Sequence, residues 1–237
     1  FFRGTKGVIS TEEPHFYKTL LIGVLCNNAT LYRQRGRSNI WFNSKPAEEK
    51  NQGDPTEVAL LECAAGADLW KENLQKKYPR IKEYPFSSAR KCMSVVCREG
   101  DTLTVFIKGA PERILAKSTY IYMDGKVKPL LAGERSRINK QVELMAAGAL
   151  RTLAVAYRPL QSFTDSLKAD EIENDLIFVG FLGMIDPPRP AVYKAIKKCE
   201  KAGIRIVMIT GDHRNTAVAV AKLVGILKRG GEGVTGA

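Results

Sequence analysis

The sequence predicts an α+β fold in which an antiparallel sheet is flanked by helices and is followed by a partial α/β, Rossmann-like segment. Two apolar runs with β-branched residues, at 93–97 and 103–107, are separated by a turn-rich linker at 98–101, which is the pattern of a hairpin. Apolar residues recur at helical spacing over 16–29. Over 191–223 a helix, an apolar strand, a loop and a second helix follow one another, which is half of a doubly wound unit.

The composition limits the class of protein. The 237 residues are 44% hydrophobic and 26% charged, as in ordinary globular proteins. The longest apolar run, 20–26, is well short of the ~20 residues that span a bilayer. The five scattered cysteines include no Cys-x-x-Cys pair, which argues against a disulfide scaffold or a zinc site and fits a reducing cytosolic setting.

The net charge of +12 attracts polyanions such as nucleic acid, acidic lipid or nucleotide phosphate. The basic residues are spread along the chain rather than clustered with interleaved aromatic residues. We therefore expect no nucleic-acid partner.

The remaining patterns set the order of the elements. They are a helix from 111, a hairpin at 121–127 with an Asp-Gly turn, a helix at 134–147, and strands at 150–157 and 175–183. Residues 32–52 are polar and basic without a clear period, so we interpret them as a surface insertion. Three prolines within 187–190 stiffen the chain and prevent a continuous helix. We place a domain boundary there, which predicts domains at 1–185 and 186–237.

The candidate ligand-binding residues lie where the chain enters and leaves the central hairpin. Phe86 and the basic pair Arg90-Lys91 lie at its entrance, and Lys108-Gly109 lies at its exit, directly before a helix that Pro111 opens. Glycine in such a place allows the backbone to come close to a neighbour. An aromatic face beside cations suits an adenine ring with a phosphate tail.

A second motif, which is acidic, precedes the hairpin. Residues 53–57 read Gly-Asp-Pro-Thr-Glu and are followed by an apolar run, which is good chemistry for the first turn of a helix. The carboxylate of Glu57 either interacts with the helix dipole alone or lines a pocket.

Taken together, Pro85-Phe86-Ser87, Arg90-Lys91, Met93-Ser94 and Lys108-Gly109-Ala110-Pro111-Glu112 resemble the nucleotide-binding domain of P-type cation-transporting ATPases. The type II, calcium-pump-like branch is the most similar. The resemblance implies ATP as ligand, Mg²⁺ in the parent enzyme, and a cytoplasmic domain of an integral membrane protein. The implied partners are the phosphorylation, actuator and transmembrane domains of the pump, and we expect the fragment itself to be monomeric.

The resemblance also assigns the site. Phe86 is expected to stack on adenine, Glu57 to accept from the exocyclic amine, and Arg151 to reach the phosphates; Arg151 could instead pair with a nearby glutamate. The full set of expected nucleotide-binding residues is Glu57, Phe86, Lys91, Met93, Lys108, Gly109, Arg151 and Leu153. Calcium pumps commonly carry arginine where this chain has Ser88. We therefore expect a lower affinity, with Arg90 or Lys91 partly substituting.

The last part of the chain resembles the haloacid-dehalogenase-like phosphorylation domain. Asp-Pro-Pro-Arg at 186–189 is similar to the family's junction motif, and Thr210-Gly211-Asp212 follows an apolar run at 204–209 that we predict to be a strand. By this resemblance Thr210 holds the transferring phosphoryl group, and Asp212 helps to position nucleotide or Mg²⁺. No residue is assigned as a direct metal ligand.

The family's nucleophilic aspartate, in an Asp-Lys-Thr-Gly-Thr run, does not occur in the sequence, and neither does its Gly-Asp-Gly-x-Asn-Asp motif. We therefore expect an excised fragment of a pump that binds ATP without turning it over. Two alternatives stay open: a freestanding haloacid-dehalogenase-like phosphatase, and a non-enzymatic basic interaction module. The branch favours calcium as the transported ion, with manganese, protons or sodium also possible.

Overall fold

The computed structural model describes residues 2–3, 6–7, 13–32, 51–148, 150–185, 189–210, 214–227 and 234. The chain divides into two compact units. The first unit comprises 1–129 and 154–182, and the second comprises 130–153 and 183–237. The predicted insertion at 32–52 falls almost wholly outside the described residues.

Two sheets are present in the described part of the chain. A two-stranded sheet pairs β1 and β2, and a seven-stranded sheet has the order β3-β4-β5-β8-β9-β6-β7. The strands are β1 (Phe2–Arg3), β2 (Lys6–Gly7), β3 (Arg80–Ser87), β4 (Cys92–Glu99), β5 (Thr102–Gly109), β6 (Ser118–Met123), β7 (Lys126–Pro129), β8 (Arg151–Leu160) and β9 (Leu176–Met184).

Most of the helices correspond to predicted helical patterns, but those at Lys71–Lys77 and Ala169–Ile172 were not predicted. The helices are α1 (Pro14–Leu25), α2 (Pro55–Ala65), α3 (Lys71–Lys77), α4 (Pro111–Ala116), α5 (Ala132–Ala147), α6 (Ala169–Ile172), α7 (Pro190–Lys201) and α8 (Arg214–Val224). The helix predicted at 16–29 ends earlier, at Leu25. Proline occupies the first turn of α1, α2, α4 and α7, where its missing N–H costs no hydrogen bond.

The predicted central hairpin is confirmed. β4 and β5 pair antiparallel over their whole length, from Cys92 opposite Gly109 to Glu99 opposite Thr102. The turn between them places Gly100 at a φ of 57°, which glycine adopts without steric cost. The second predicted hairpin, β6–β7, is also confirmed, with Asp124 and Gly125 both at positive φ.

Two features of the sheet differ from the expectation. β3 was not predicted as a strand; it pairs antiparallel with β4 at the edge of the sheet, and its mixed polar sequence lacks the apolar run of a central strand. The sheet is also mixed rather than purely antiparallel, because β6 pairs with β9 in parallel. A parallel pair needs a long crossover, and here it is the whole segment between the two strands.

The core of the first unit lies where α1 packs against α2, α3 and β5. The last seven residues of α1 are all buried, and β4 is buried over 92–97. No helix in the described ranges combines the length and the apolar character needed to cross a bilayer.

In the second unit α8 packs against α5 and α7. The strand predicted at 204–209 is wrong: these residues are irregular, with Val207 68% and Ile209 92% exposed. A parallel strand needs a neighbouring strand to pair with, and no strand of the described residues pairs with this segment.

Candidate functional site

The antiparallel pairing brings one end of three strands together. β3 and β5 both run opposite to β4, so the end of β3, the start of β4 and the end of β5 meet at the same end of the sheet. The register places Met93 opposite Lys108 and Cys92 opposite Gly109, and Ala154 of β8 pairs with Gly109 from the other side. Most of the residues predicted to bind nucleotide therefore gather here.

Phe86 is exposed at this end of the sheet. Its relative exposure is 64%, although it lies in a strand. The register between β3 and β4 shifts between Tyr84 and Ser87, so Phe86 lies in an irregular section of β3. A large aromatic ring left open to solvent can stack on a planar ligand.

The turn that follows Phe86 holds Lys91 in a left-handed conformation, at a φ of 52°. Its backbone N–H donates to the carbonyl oxygen of Ser87 at 2.7 Å, which closes the turn. The Lys91 side chain is 52% exposed and lies 3.6 Å from the Glu112 carboxylate. Exposed ion pairs contribute little, so this lysine can exchange Glu112 for another anion at small cost.

Gly109 comes close to the neighbouring strand. A Cβ atom at this position would lie 2.6 Å from the carbonyl oxygen of Lys91 and 2.6 Å from the Cβ of Cys92. The N–H of the next residue, Ala110, donates to that same carbonyl oxygen at 2.9 Å. The close approach predicted from the sequence is therefore made to β4 itself.

Lys108 and Glu57 form an ion pair at the same end. The Lys108 side chain is 8% exposed, and its Nζ lies 2.5 Å from Glu57 Oε1. Glu57 lies in the first turn of α2, where the predicted capping is confirmed by the Asp54 carboxylate, which accepts from the Thr56 N–H at 2.8 Å. The Glu57 carboxylate thus does more than interact with the helix dipole. Met93, opposite Lys108, is buried.

A set of side chains that sequence reasoning missed holds Glu57 in place. The backbone N–H of Asn28 donates to Glu57 Oε2 at 2.9 Å, and Asn27 Nδ2 donates to the Glu57 carbonyl oxygen at 2.9 Å. Arg80 donates to the carbonyl oxygens of Leu25 and Asn27, which satisfies acceptors at the end of α1. In the sequence, Asn27-Asn28 indicates only the end of a helix.

Arg90 makes two contacts within the protein. Its guanidinium contacts the carboxylate of Glu173 and the carbonyl oxygen of Pro85. These contacts engage both terminal nitrogens of Arg90, which favours Lys91 over Arg90 as the partial substitute for the missing phosphate-binding arginine; the substitution itself stays a prediction.

Glu173 itself was not predicted. It is fully buried, accepts from Ser94 Oγ at 2.8 Å, and lies 3.3 Å from Lys117 Nζ. In the sequence it belongs to an acidic run, 170–175, that resembles a solvated surface segment.

Two thiols lie beside these charged clusters. Burial raises the pKa of Cys26 to about 12, although nearby Lys108 acts in the opposite direction. Burial, reinforced by the Glu173 carboxylate, raises the pKa of Cys92 to about 11. Both thiols are protonated near neutral pH, when their nucleophilicity is low.

The other predicted site residues belong to the second unit. Arg151 and Leu153 lie at the start of β8, where Arg151 is exposed, and their roles remain predictions. Thr210 is exposed, while Gly211, Asp212 and residues 186–188 of the junction motif lie outside the described residues.

Two concavities are lined by other residues. One of about 380 Å³ is bordered by Tyr120, Val127, Arg158 and Ile177 in the first unit, and one of about 530 Å³ lies along α5 in the second. Neither is lined by Phe86, Lys108 or Glu57. The candidate site, at the end of the sheet where β3, β4 and β5 meet, is therefore not one of these two concavities.

Comparisons with known proteins show the family of the chain. Residues 15–191 match the family described as P-type ATPase, cytoplasmic domain N. The chain is 40% identical over 234 residues to a calcium-transporting ATPase of Bacillus subtilis. The match covers 98% of this chain and 25% of that protein. It is 41% identical to calcium-transporting ATPase 1 of Lactococcus lactis, over 99% of this chain and 25% of that protein.

A more distant relative is calcium-transporting ATPase 1 of Saccharomyces cerevisiae, 38% identical over 88% of this chain and 21% of that protein. The chain thus spans about a quarter of the length of the bacterial relatives. Because the family match extends over most of the chain, the chain belongs to the P-type ATPase family, in the part described as its cytoplasmic domain N.

Proposed function

We propose that residues 1–185 form the ATP-binding domain of a P-type cation pump, and that residues 186–237 begin its haloacid-dehalogenase-like phosphorylation domain. Relatives named as calcium-transporting ATPases support calcium as the transported ion. The observation that carries the proposal is the exposed ring of Phe86 beside Lys91, at the sheet end where Lys108 pairs with Glu57.

The adenine ring stacks on Phe86, a contact worth on the order of 1–3 kcal/mol. Glu57 accepts a hydrogen bond from the exocyclic amine with a carboxylate that retains 16% exposure. Met93 and Lys108 frame the inner edge of the site. Gly109 keeps the strand ends close enough for these side chains to act together.

The phosphates are held by cations at the rim of the site. Lys91 is exposed and bound only weakly to Glu112, so it is ready to contact a phosphate oxygen. Arg151 provides a second cation and Leu153 touches the base. Because Ser88 replaces an arginine common in calcium pumps and Arg90 is engaged internally, the affinity for ATP is modest.

In the parent pump the γ-phosphate is presented to an aspartate that the present sequence does not contain, and Mg²⁺ accompanies the nucleotide. Thr210, Gly211 and Asp212 position the phosphoryl group. The full enzyme couples ATP hydrolysis to cation transport with its phosphorylation, actuator and transmembrane domains. The present chain, a monomeric cytoplasmic part of that membrane protein, binds ATP without hydrolysing it.

Calorimetric titration of ATP into the wild-type chain and into Phe86→Ala tests the proposal. Loss of the stack is expected to weaken binding by roughly tenfold or more. Tyr120→Ala removes another exposed aromatic side chain, 44% exposed on β6, and should bind as the wild type does. Equal affinity of Phe86→Ala and wild type would contradict the proposed pocket. Phosphate release by the chain alone would contradict the expected lack of turnover.

A further inference from the structure

We propose that Glu173 is a positioning residue for nucleotide binding, which acts through Arg90 to hold the backbone that presents Phe86. The inference rests on the proposed function, because Phe86 matters only if it stacks on the base. In this proposal neither Glu173 nor Arg90 touches the nucleotide.

Arg90 links Glu173 to the segment that carries Phe86. One of its terminal nitrogens, Nη1, contacts the Glu173 carboxylate, and the other, Nη2, contacts the carbonyl oxygen of Pro85. Pro85 directly precedes Phe86. Since the guanidinium is planar and its donors have fixed directions, fixing one side on Glu173 also fixes the other side on Pro85.

Glu173 is a firm point of attachment. Its side chain is 0% exposed and is held by Ser94 Oγ of β4 at 2.8 Å and by Lys117 Nζ at 3.3 Å. Its backbone N–H donates to the Ala169 carbonyl oxygen at 2.9 Å, at the end of α6. The carboxylate therefore stays in place independently of the turn at 87–91.

The segment that carries Phe86 needs such support. The ladder between β3 and β4 is irregular between Tyr84 and Ser87, so no register pair holds residues 85 and 86. Pro85 has no N–H to donate. The Phe86 ring is 64% exposed, so core packing does not fix it either. The contact from Arg90 to Pro85 takes the place of a ladder hydrogen bond at this point.

The chain offers a matched pair of variants for the test. Arg90→Met and Lys117→Met each remove one cation from Glu173, but only Arg90 touches the Phe86 segment. We expect Arg90→Met to weaken ATP binding by on the order of tenfold, within the range of a lost base stack. Lys117→Met is expected to lower the denaturation midpoint and to leave the affinity unchanged.

Two further measurements separate positioning from direct contact. Affinity for AMP, followed by NMR titration, should fall by the same factor as affinity for ATP, since the lost contact is with the base. In a Phe86→Ala background, Arg90→Met should cause no additional loss, because the ring that it positions is already gone. Arg90→Lys keeps the positive charge but cannot bridge both acceptors, so it should weaken ATP binding as Arg90→Met does. If the Arg90→Met variant does not fold, Arg90→Lys serves as the test in its place.

The inference is overturned if folded Arg90→Met or Arg90→Lys binds ATP as the wild type does. It is equally overturned if the loss appears with ATP but not with AMP, or persists in the Phe86→Ala background, because Arg90 would then contact phosphate directly. Failure of the proposed function looks different: the wild-type chain would not bind ATP, or Phe86→Ala alone would have no effect.

Discussion

Two carboxylates approach β4 from opposite faces, and they differ in what surrounds them. Successive side chains of a strand alternate between faces, so Met93 lies on one face and Cys92 and Ser94 lie on the other. Lys108, opposite Met93, pairs with Glu57 on the first face. Glu173 contacts Cys92 and Ser94 on the second.

Among the described residues, the Glu57 carboxylate, which is 16% exposed, pairs with one cation, Lys108. The Glu173 carboxylate is 0% exposed and pairs with two, Arg90 and Lys117. A partly open carboxylate can exchange a partner for a ligand, whereas a sealed one cannot lose its partners without leaving charges uncompensated in the interior. The comparison supports the proposal that one face of the strand meets the nucleotide, whereas the other anchors the structure.

The largest expected effect is on stability, at the sealed carboxylate. Glu173→Gln leaves Arg90 without its counter-charge and leaves Lys117 with only the exposed Asp170 carboxylate, so it should lower the free energy of unfolding by about 3 kcal/mol. Urea denaturation measures this change. Asp170→Asn is the control, since Asp170 is 84% exposed and lies 3.6 Å from the same Lys117, and it should cost less than about 0.5 kcal/mol. Similar losses of unfolding free energy for Glu173→Gln and Asp170→Asn would contradict the anchoring role of the Glu173 face of β4.

Glu57→Gln should have a smaller effect on stability, about 1–2 kcal/mol, because the pair is partly open and the amide retains an acceptor. Its more informative effect is on base selection. Loss of the carboxylate is expected to reduce the preference for ATP over GTP by about fivefold, since a charged acceptor binds an amine more strongly than a neutral one. Competition titrations with the two nucleotides measure the ratio, with the exposed Glu62→Gln as control. An unchanged ratio of ATP to GTP affinity would indicate that the exocyclic amine of adenine does not bind Glu57.

The smallest expected effect is on the pH dependence of stability. The pKa of Cys92 rises from an ordinary value of 9.0 to about 11 in the folded protein, so its contribution to stability is complete below pH 9 and is lost as the pH rises toward 11. Cys92→Ala should therefore flatten the fall in the free energy of unfolding across that window by about 1 kcal/mol per pH unit.

Cys26→Ala provides the comparison on the other face, where the window extends to about pH 12. Because the Glu173 carboxylate helps to raise the pKa of Cys92, Glu173→Gln should narrow the Cys92 window and leave that of Cys26 unchanged. A narrowing at both thiols would indicate a general loosening of the protein rather than a local charge effect.

Local patterns were sufficient to predict much of the fold. The β4–β5 hairpin follows from two apolar runs at hairpin spacing, and the cap at Asp54 follows from its place before a helical run. The Asp124-Gly125 turn follows from residues that tolerate positive φ. In the candidate site, Phe86 and Lys108 could be proposed because they belong to motifs of contiguous residues, and their roles stay predictions.

What the sequence could not reveal depends on contacts between distant residues. Arg90 and Glu173 are 83 positions apart, and Arg80 is 55 positions from the carbonyl oxygen that it binds at Leu25. Nothing in the neighbouring residues distinguishes these charged side chains from solvated ones. The strand predicted at 204–209 failed for the converse reason, since an apolar run becomes a strand only beside a partner strand.

The narrow space at Gly109 limits how this surface can be redesigned. A methyl group there would push apart the backbones of β4 and β5, because the carbonyl oxygen of Lys91 already fills the volume that it would need. A library that seeks a new base preference can vary residues 86 and 88, which are exposed. Position 109 should be kept as glycine in every member, for a reason of geometry that holds whether or not a ligand is bound.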